Sequence, residues 1–354
     1  MVFMCQTDSY LKQFKTNVKT CKSSELKSKG NKLNGFEVTL EDTILFPEGG
    51  GQPSDFGTID GKQVVDVRRD GDIAVHFVVS DGPLEVGRQV DVEVDWKRRF
   101  DHMQQHSGQH LITAIAEQTF ALKTTSWSLG EEISSIELDA KEVSEESVRR
   151  LESLVNEKIR ESVPVSITLF DRNDERLKEV STRLLIPEDQ SGPIRVVSLE
   201  GIDRNTCCGT HVSNLSHLQS IKLLSAEKGK KNKTNLYFLS GNRVLFYLDK
   251  CYKREKALNT SLKCTSDDFM PMTEKMKKSL KISQKILNEV KQEISDTLVV
   301  LSVTDDSTDL NSSGQLALAG NQELIQQFIP NKGCTKGWKI FGKSGKFVEK
   351  SKIR

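Results

Sequence analysis

The segment FEVTLEDTILFPEGGGQPSDFG, residues 36–57, alternates apolar and polar side chains and then breaks into a run of three glycines. Alternation with a period of two predicts a half-buried strand, and the glycines predict a tight turn after it. The stretches 58–78 and 88–95 repeat the alternation, and Asp-Gly pairs that tolerate positive φ separate the apolar runs. Residues 36–95 therefore predict a compact all-β domain, either a small barrel or a sandwich.

The spacing of the apolar residues changes at Trp96. Residues 96–120, WKRRFDHMQQHSGQHLITAIAEQTF, place apolar side chains three and four apart, which predicts a helix. A second amphipathic helix is predicted from Ser144, where a serine followed by glutamates is typical of a capped N-terminus. Strand patterns occupy 134–140, 163–171 and 194–201, and 220–241 predicts a hairpin with the basic run Lys228–Lys233 at its tip.

The chain is thus predicted to be an α+β protein in three parts. Residues 1–95 form a β-rich, barrel-like domain that carries the glycine-rich loop. Residues 96–250 form a central α+β domain that holds the chemistry-bearing residues. Residues 251–354 form a helical region, with apolar side chains at helical spacing, followed by a basic tail rich in glycine and lysine.

Composition narrows the class of protein. A chain of 354 residues with 36% hydrophobic content can bury two or three cores. The net charge of +1 argues against an indiscriminate polyanion binder. The first twenty residues lack the apolar run of a leader peptide, and no segment reaches about 18 continuous apolar residues. Seven scattered cysteines indicate free thiols rather than a disulfide framework, so we expect a cytoplasmic protein.

Two short segments carry the ligand chemistry. His102, His106 and His110 recur every four residues and therefore lie on one face of the predicted helix. Cys207 and His211 lie a hundred residues downstream, in a predicted loop. Imidazoles from adjacent helical turns together with a thiolate and a fourth ligand suit zinc. Spacing alone does not decide between the pairs His102/His106 and His106/His110.

A thiol nucleophile is the rival interpretation of the same residues. Cys207 could attack an ester with a histidine as general base. That mechanism leaves the second helical histidine without a role, and the sequence shows no group that orients the pair. A shared metal site is the favoured hypothesis.

Three motifs together identify a family resemblance. EGGGQPSDFG (48–57), HSGQH (106–110) and CCGTH (207–211), in this order and separation, resemble the freestanding alanyl-tRNA editing proteins and the editing domain of alanyl-tRNA synthetase. The resemblance covers about residues 36–250. It implies that the central part is a zinc-containing editing domain with one Zn²⁺ per chain, and that no aminoacylation domain precedes it.

The resemblance also implies which histidines bind the metal. The family's His-x-x-x-His matches His106 and His110, and its Cys-Gly-Gly-Thr-His supplies Cys207 and His211. His102 is left as a structural or supporting neighbour.

Two positions depart from the family, and the departure at Leu45, where an aromatic residue is common, is minor. Cys208 stands where the family usually has glycine, so it is a second candidate thiolate or a residue that narrows the site. The threonine before the glycine-rich loop matches a family threonine associated with the serine hydroxyl, and the loop itself matches a segment near the 3′ end of the tRNA. The substrate-binding residues that the resemblance implies are Thr43, Gly49, Gly50, Gly51 and Gln52.

The implied function is trans-editing, in which the ester of mischarged tRNA(Ala), chiefly Ser-tRNA(Ala) and also Gly-tRNA(Ala), is hydrolysed. An activation pocket sized for alanine discriminates imperfectly against a substrate that adds only a hydroxyl, so a second site is needed. Whether the metal acts in catalysis or organises the pocket stays open at this stage. The alternative is a non-catalytic tRNA-binding or regulatory protein with a structural zinc.

Overall fold

The computed structural model describes residues 2–28, 31–180, 192–296, 299–303, 315–319 and 351–352. The chain divides into two compact units, Met1–Cys251 and Tyr252–Arg354. It combines helices with antiparallel sheets, which confirms the mixed α and β composition predicted from the sequence. The three-part division at residues 95 and 250 stays a prediction.

A closed six-stranded barrel lies at the N-terminal end of the first unit. Its strands pair antiparallel in the order β1-β2-β5-β4-β3-β6, and β6 returns to β1. A single turn of helix, α1 (Met4–Thr7), precedes the barrel. The strands are β1 (Gln13–Ser28), β2 (Asn31–Leu40), β3 (Gly57–Ile59), β4 (Lys62–Asp70), β5 (Ile73–Val79) and β6 (Gln89–Val94).

The barrel settles the choice between barrel and sandwich. Its interior is apolar, with Val38, Val64 and Val92 fully buried in one cluster. The strand β1 was not expected, because its sequence QFKTNVKTCKSSELKS is mostly polar and lacks a strong apolar alternation. Without β1 the sheet could not close, since this strand pairs with both β2 and β6.

The remainder of the first unit packs sheets and a helix around the long helix α2 (Trp96–Phe120), whose bounds match the predicted helix. Asp95 caps α2, because its carboxylate accepts a hydrogen bond from the Arg98 amide at 3.1 Å. The other elements are β7 (Thr124–Ser128), β8 (Ser134–Leu138), α3 (Glu145–Arg160), β9 (Val165–Phe170), β10 (Ile194–Leu199), β11 (Asp203–Thr206), β12 (Ile221–Lys228) and β13 (Thr234–Ser240).

Two antiparallel sheets share an apolar core with α2. One has the order β12-β13-β8-β7 and the other β11-β10-β9. The predicted hairpin is confirmed as β12 and β13, with the basic run between them. Helix α2 is buried from His102 to Ala116, so almost every side chain in its middle contacts protein. The HSGQH motif therefore lies in the interior of the unit.

Helix α4 (Asn242–Leu262) runs across the division between the units, and the second unit contains α5 (Phe269–Asp296). Both confirm the predicted helical stretches. A small antiparallel sheet follows, with β14 (Val299–Val303), β15 (Gln315–Ala319) and β16 (Ser351–Lys352) in that order. The predicted basic tail lies outside the described residues apart from β16. No helix among the described residues has the length and apolar character to cross a bilayer.

A buried ion pair joins the barrel to α2. Arg99 and Asp55 are both fully buried, and Arg99 Nε donates to Asp55 Oδ2 at 2.9 Å. The guanidinium also donates to the carbonyls of Ser9 and Ile44. Asp55 in turn accepts from the Phe46 amide at 2.7 Å. These bonds fix the loop that follows β2 against the first turns of α2.

We expect Asp55→Asn to lower the free energy of unfolding by about 3–5 kcal/mol, because it leaves the Arg99 charge buried without a counter-ion. Urea unfolding measures the change. The matched control is Asp91→Asn, whose partner Lys15 and own side chain are 69% and 64% exposed. Exposed pairs contribute about 0–1 kcal/mol, and equal losses in the two variants would contradict the structural role of Asp55.

Candidate metal centre

Helix α2 brings His106 and His110 to one side, one turn apart, as the four-residue spacing predicts. Their ring centroids lie 5.1 Å apart. Gly108, between them, lets the helix approach the end of β13, because a Cβ there would lie 3.1 Å from the Ser240 side chain. The helix thus presents both imidazoles to a tightly packed interior.

The CCGTH segment follows β11, a short strand that lies between β10 and the motif and was not expected from the sequence. The Cys207 amide donates to the Arg195 carbonyl at 3.3 Å, which holds the start of the segment against β10. Gly209 passes directly over a histidine, since a Cβ on it would lie 2.2 Å from His106 Cε1. Only glycine fits there.

The two motifs meet in one buried cluster. The ligand atoms of His106, His110, Cys207 and His211 all lie within 4.8 Å of one another, and all four residues are buried. Cys207 Sγ is 3.4 Å from His106 Nε2 and 3.3 Å from His211 Nε2. A tetrahedral centre with zinc bond lengths separates sulfur and nitrogen ligands by about 3.5 Å. The cluster therefore fits one metal ion.

Neighbouring side chains fix the orientation of two imidazoles. Gln52 Oε1 lies 2.8 Å from His106 Nδ1 and also accepts from the Thr210 amide at 3.0 Å. Since an amide oxygen can only accept, Nδ1 of His106 carries the proton and Nε2 presents its lone pair to the cluster. Gln52 Nε2 donates to Thr210 Oγ1 at 2.8 Å, so the amide is held at both ends.

Ser107 does the same for His211. Its hydroxyl oxygen lies 3.1 Å from His211 Nδ1 and accepts from the Val212 amide at 3.1 Å. With Nδ1 bonded to this hydroxyl, Nε2 of His211 is the nitrogen that faces Cys207. Hydrogen bonds of this kind, made by the nitrogen that does not face the metal, are general in histidine metal sites.

Burial favours the uncharged forms of His106, His211 and Cys207. Desolvation, reinforced by the neighbouring histidines, lowers the pKa of His106 and His211 well below its ordinary value. Desolvation raises the pKa of the Cys207 thiol to about 12, although the positive charge of Arg195 opposes it. Neutral imidazoles are the form that binds metals, and a divalent cation converts a buried thiol to thiolate.

His102 does not join the cluster. It lies on α2 one turn before His106 and is buried, but the metal-binding group among the described residues consists of the four side chains above. Burial and the charges of Arg98, Arg243 and Arg99 lower its pKa to about 3. Of the two histidine pairs with four-residue spacing, the structure therefore places His106/His110 in the cluster and leaves His102 outside it.

The glycine-rich loop packs beside the cluster. Gly50 and Gly51 have φ of +60° and +82°, and a Cβ on them would lie 2.9 Å from Cys208 Sγ and 2.7 Å from Trp127 Nε1 respectively. Trp127 donates to the Gly50 carbonyl at 3.2 Å, and its ring centroid is 4.6 Å from that of His106. The loop therefore reaches the metal site through Trp127 and Cys208.

Cys208 points to the loop and lies outside the four-residue cluster. Its carbonyl accepts from Gln6 Nε2 at 2.8 Å, and the Gln6 carbonyl accepts from Arg195 Nε at the same distance. Arg195 Nη1 also donates to the Cys207 carbonyl at 2.6 Å. Gln6 of helix α1 and the buried Arg195 therefore hold the backbone of the CCGTH segment by hydrogen bonds to its carbonyls.

Thr43 lies in the loop after β2 and is buried. Its hydroxyl is 2.9 Å from His76 Nε2 and accepts from the Leu45 amide at 3.0 Å. Its carbonyl accepts from the Cys5 amide at 3.2 Å, so α1 touches both Thr43 and Cys208. Substrate contacts by Thr43, the glycines and Gln52 stay predictions.

Sequence reasoning missed several residues that shape the site. Ser107 lies inside the HSGQH motif, so its position was available as a signal. Trp127, Arg195 and Gln6 come from distant segments and belong to no motif, and only the fold brings them to the cluster.

Comparisons with known proteins match two separate segments of the chain and, with relatives, its full length. The family profile "Threonyl and Alanyl tRNA synthetase second additional domain" matches residues 194–239, which contain CCGTH. The profile "tRNA synthetases class II (A)" matches residues 5–98, which contain the barrel. The alanyl-tRNA editing protein Aarsd1 of Danio rerio is 44% identical, with 100% of this chain and 96% of the relative covered.

The chain belongs to the alanyl-tRNA editing protein family. The Aarsd1 protein of Mus musculus is 45% identical over 99% of this chain and 94% of its own. The alanyl-tRNA editing protein AlaX-M of Methanosarcina barkeri is 29% identical over 65% of this chain and 95% of its own. The resemblance identified from the three motifs is thereby confirmed.

We expect Gly209→Ala to prevent metal binding, because the added Cβ would overlap the His106 ring. The measurement is the absorption of the protein loaded with Co²⁺, in which a thiolate ligand gives an intense charge-transfer band in the near ultraviolet. Gly82→Ala is the matched control, since a Cβ there meets nothing within 4 Å. A normal cobalt spectrum from Gly209→Ala would contradict the described arrangement of the cluster.

Proposed function

We propose that this protein hydrolyses the aminoacyl ester of mischarged tRNA(Ala) in trans, and that Ser-tRNA(Ala) is the main substrate and Gly-tRNA(Ala) a second one. The observation that carries the proposal is the convergence of four buried ligands beside the glycine-rich loop, in a chain whose relatives are named alanyl-tRNA editing proteins. The ligand set of three imidazoles and one thiolate favours Zn²⁺, with one ion per chain.

In this proposal His106, His110, Cys207 and His211 hold the ion. When bound, zinc supplies Lewis-acid chemistry or organises the pocket around the ester. Gln52 contributes by holding His106 in the tautomer that binds metal, because both atoms of its amide are engaged by the protein. We therefore assign Gln52 an orienting role toward the metal site, in addition to any substrate contact.

The glycine-rich loop would bind the 3′ end of the tRNA. Gly49 and Gln52 exchange backbone hydrogen bonds of 3.0 Å in each direction, which closes a two-residue turn. The amides of Gly50 and Gly51 lie outside that pairing. Backbone amides without Cβ neighbours suit close approach to a ribose or phosphate.

Two further parts of the proposal concern the partner and the compartment. The exposed lysines Lys228, Lys230 and Lys231 at the tip of the β12–β13 hairpin would contact the phosphates of the tRNA body. Cys5, Cys207 and the other four described cysteines are free thiols, which is compatible with a reducing compartment such as the cytoplasm.

One observation favours the alternative function. A centre with four protein ligands is typical of structural zinc, whereas catalytic zinc usually keeps one position open. A tRNA-binding or regulatory protein with a structural metal would bind charged tRNA without hydrolysing it. Ester loss and binding measured on the same tRNA distinguish the two functions.

Replacing His106 or His110 by Ala should abolish metal binding and deacylation together, because each change removes one of the four ligands. Metal content and ester loss from Ser-tRNA(Ala) are measured on the same preparations. His102→Gln is the control at the same helical spacing, and it should retain metal. Full hydrolysis by metal-free His106→Ala would contradict the assigned role of the cluster.

Thr43→Val should reduce hydrolysis of Ser-tRNA(Ala) relative to Gly-tRNA(Ala), because it removes the hydroxyl proposed to bond the serine side chain. Loss of one hydrogen bond predicts a change of about tenfold or less. Thr43→Ser keeps the hydroxyl and should keep the preference. Ester loss from Ser-, Gly- and Ala-tRNA(Ala) gives the ratios, and an unchanged ratio in Thr43→Val would remove Thr43 from substrate recognition.

A further inference from the structure

A histidine lies inside the apolar barrel. His76 is on β5 and fully buried, and it shares the inward face of that strand with Ala74 and Val78, both members of the barrel core. Burying an imidazole in such a core costs free energy unless both nitrogens are hydrogen-bonded. An aliphatic side chain would fill the same space without that cost. The hydrogen bonds of the imidazole ring therefore indicate what the histidine does at this position.

The two ring contacts determine the tautomer of His76. Nδ1 lies 3.0 Å from the Val38 carbonyl oxygen, which can only accept, so Nδ1 carries the proton. Burial lowers the pKa of His76 to about 4, and the ring is therefore neutral near pH 7. Nε2 is then an unprotonated acceptor, 2.9 Å from Thr43 Oγ1. The hydrogen bond must run from the Thr43 hydroxyl to His76.

These contacts fix which hydrogen bonds the Thr43 hydroxyl donates and which it accepts. Its single proton goes to His76, and one of its two lone pairs accepts from the Leu45 amide at 3.0 Å. One lone pair remains. Any ligand that bonds to this oxygen must bring its own hydrogen.

The Thr43 segment is tied to the CCGTH segment by α1. The Cys5 amide donates to the Thr43 carbonyl at 3.2 Å, and the next residue, Gln6, donates to the Cys208 carbonyl at 2.8 Å. Two adjacent residues of one helical turn thus hold both segments. Helix α1 therefore links the Thr43 segment to the segment that carries two of the four cluster residues.

We propose that His76 is a positioning residue for serine recognition, which makes Thr43 a hydrogen-bond acceptor that selects the serine side chain through its O–H donor. The inference rests on the proposed editing function. Alanine and glycine side chains offer no donor, so neither can use the remaining lone pair. His76 acts through Thr43 and contacts no substrate itself.

The test compares Ser-tRNA(Ala) with Gly-tRNA(Ala) by their kcat/KM ratio in four proteins: wild type, Thr43→Val, His76→Leu and the double variant. We expect His76→Leu to lower the ratio several-fold, up to about tenfold, because the freed hydroxyl rotates and no longer presents a fixed acceptor. The double variant should have the same ratio as Thr43→Val, since the effect of His76 passes through Thr43. His76→Gln, whose amide oxygen can accept, should restore most of the preference.

The outcomes separate this inference from the proposed function. A wild-type ratio in His76→Leu, together with a lowered ratio in Thr43→Val, overturns the role of His76 and leaves the editing function intact. Unchanged ratios in both single variants overturn the inference and remove Thr43 from substrate recognition, while the editing function stands. No hydrolysis by the wild type overturns the proposed function and the inference with it. A merely structural His76 would lower the unfolding temperature of His76→Leu without moving the ratio.

A second measurement is made on the wild-type protein and uses a variant only to assign signals. Histidine ¹⁵N NMR of the wild-type protein, with the His76 signals identified by their loss in His76→Gln, reports which nitrogen carries the proton. We expect a neutral ring protonated at Nδ1. Protonation at Nε2 would reverse the bond to Thr43 and overturn the inference.

Discussion

The hydrogen bond between His106 and Gln52 is the contact on which the site depends. It joins α2 to the loop that leaves the barrel, and Thr210 fixes the same glutamine from the CCGTH segment. One buried amide therefore links three segments that are up to 158 residues apart. Gln52 also sets the tautomer of His106. The side chain that holds the three segments together therefore also directs the Nε2 lone pair of His106 toward the cluster.

Close packing explains the glycines around this contact. Gly209 allows the segment after Cys207 to cross His106, while Gly50 and Gly51 allow the loop to approach Cys208 and Trp127. The glycine-rich loop was interpreted from the sequence as a surface for the tRNA end. The structure adds that protein side chains already occupy the space beside two of its glycines, so the loop is both a packing element and a candidate binding surface.

Much of the site follows from spacing and chemistry. His106 and His110 share a helical face by geometry, and a Cys-x-x-x-His segment is short enough to turn both ligands toward one point. Their combined ligand chemistry predicts that the two segments share one metal, whereas the choice of His106/His110 over His102/His106 came from the family resemblance. The strand β1 could not be predicted, because its polar sequence has no strong apolar alternation. It is a strand because it pairs with both neighbouring strands when the barrel closes. Contacts such as Trp127 with His106 depend on tertiary packing that no local pattern encodes.

The central claim is that one metal ion, held by the four-residue cluster, is required for hydrolysis of mischarged tRNA. The most direct measurement removes metal from the purified protein with a chelator, adds Zn²⁺ back in steps, and follows ester loss from Ser-tRNA(Ala) at each step. We expect activity to rise in proportion to zinc and to stop rising at one ion per chain. Full activity before any zinc is returned would contradict this claim.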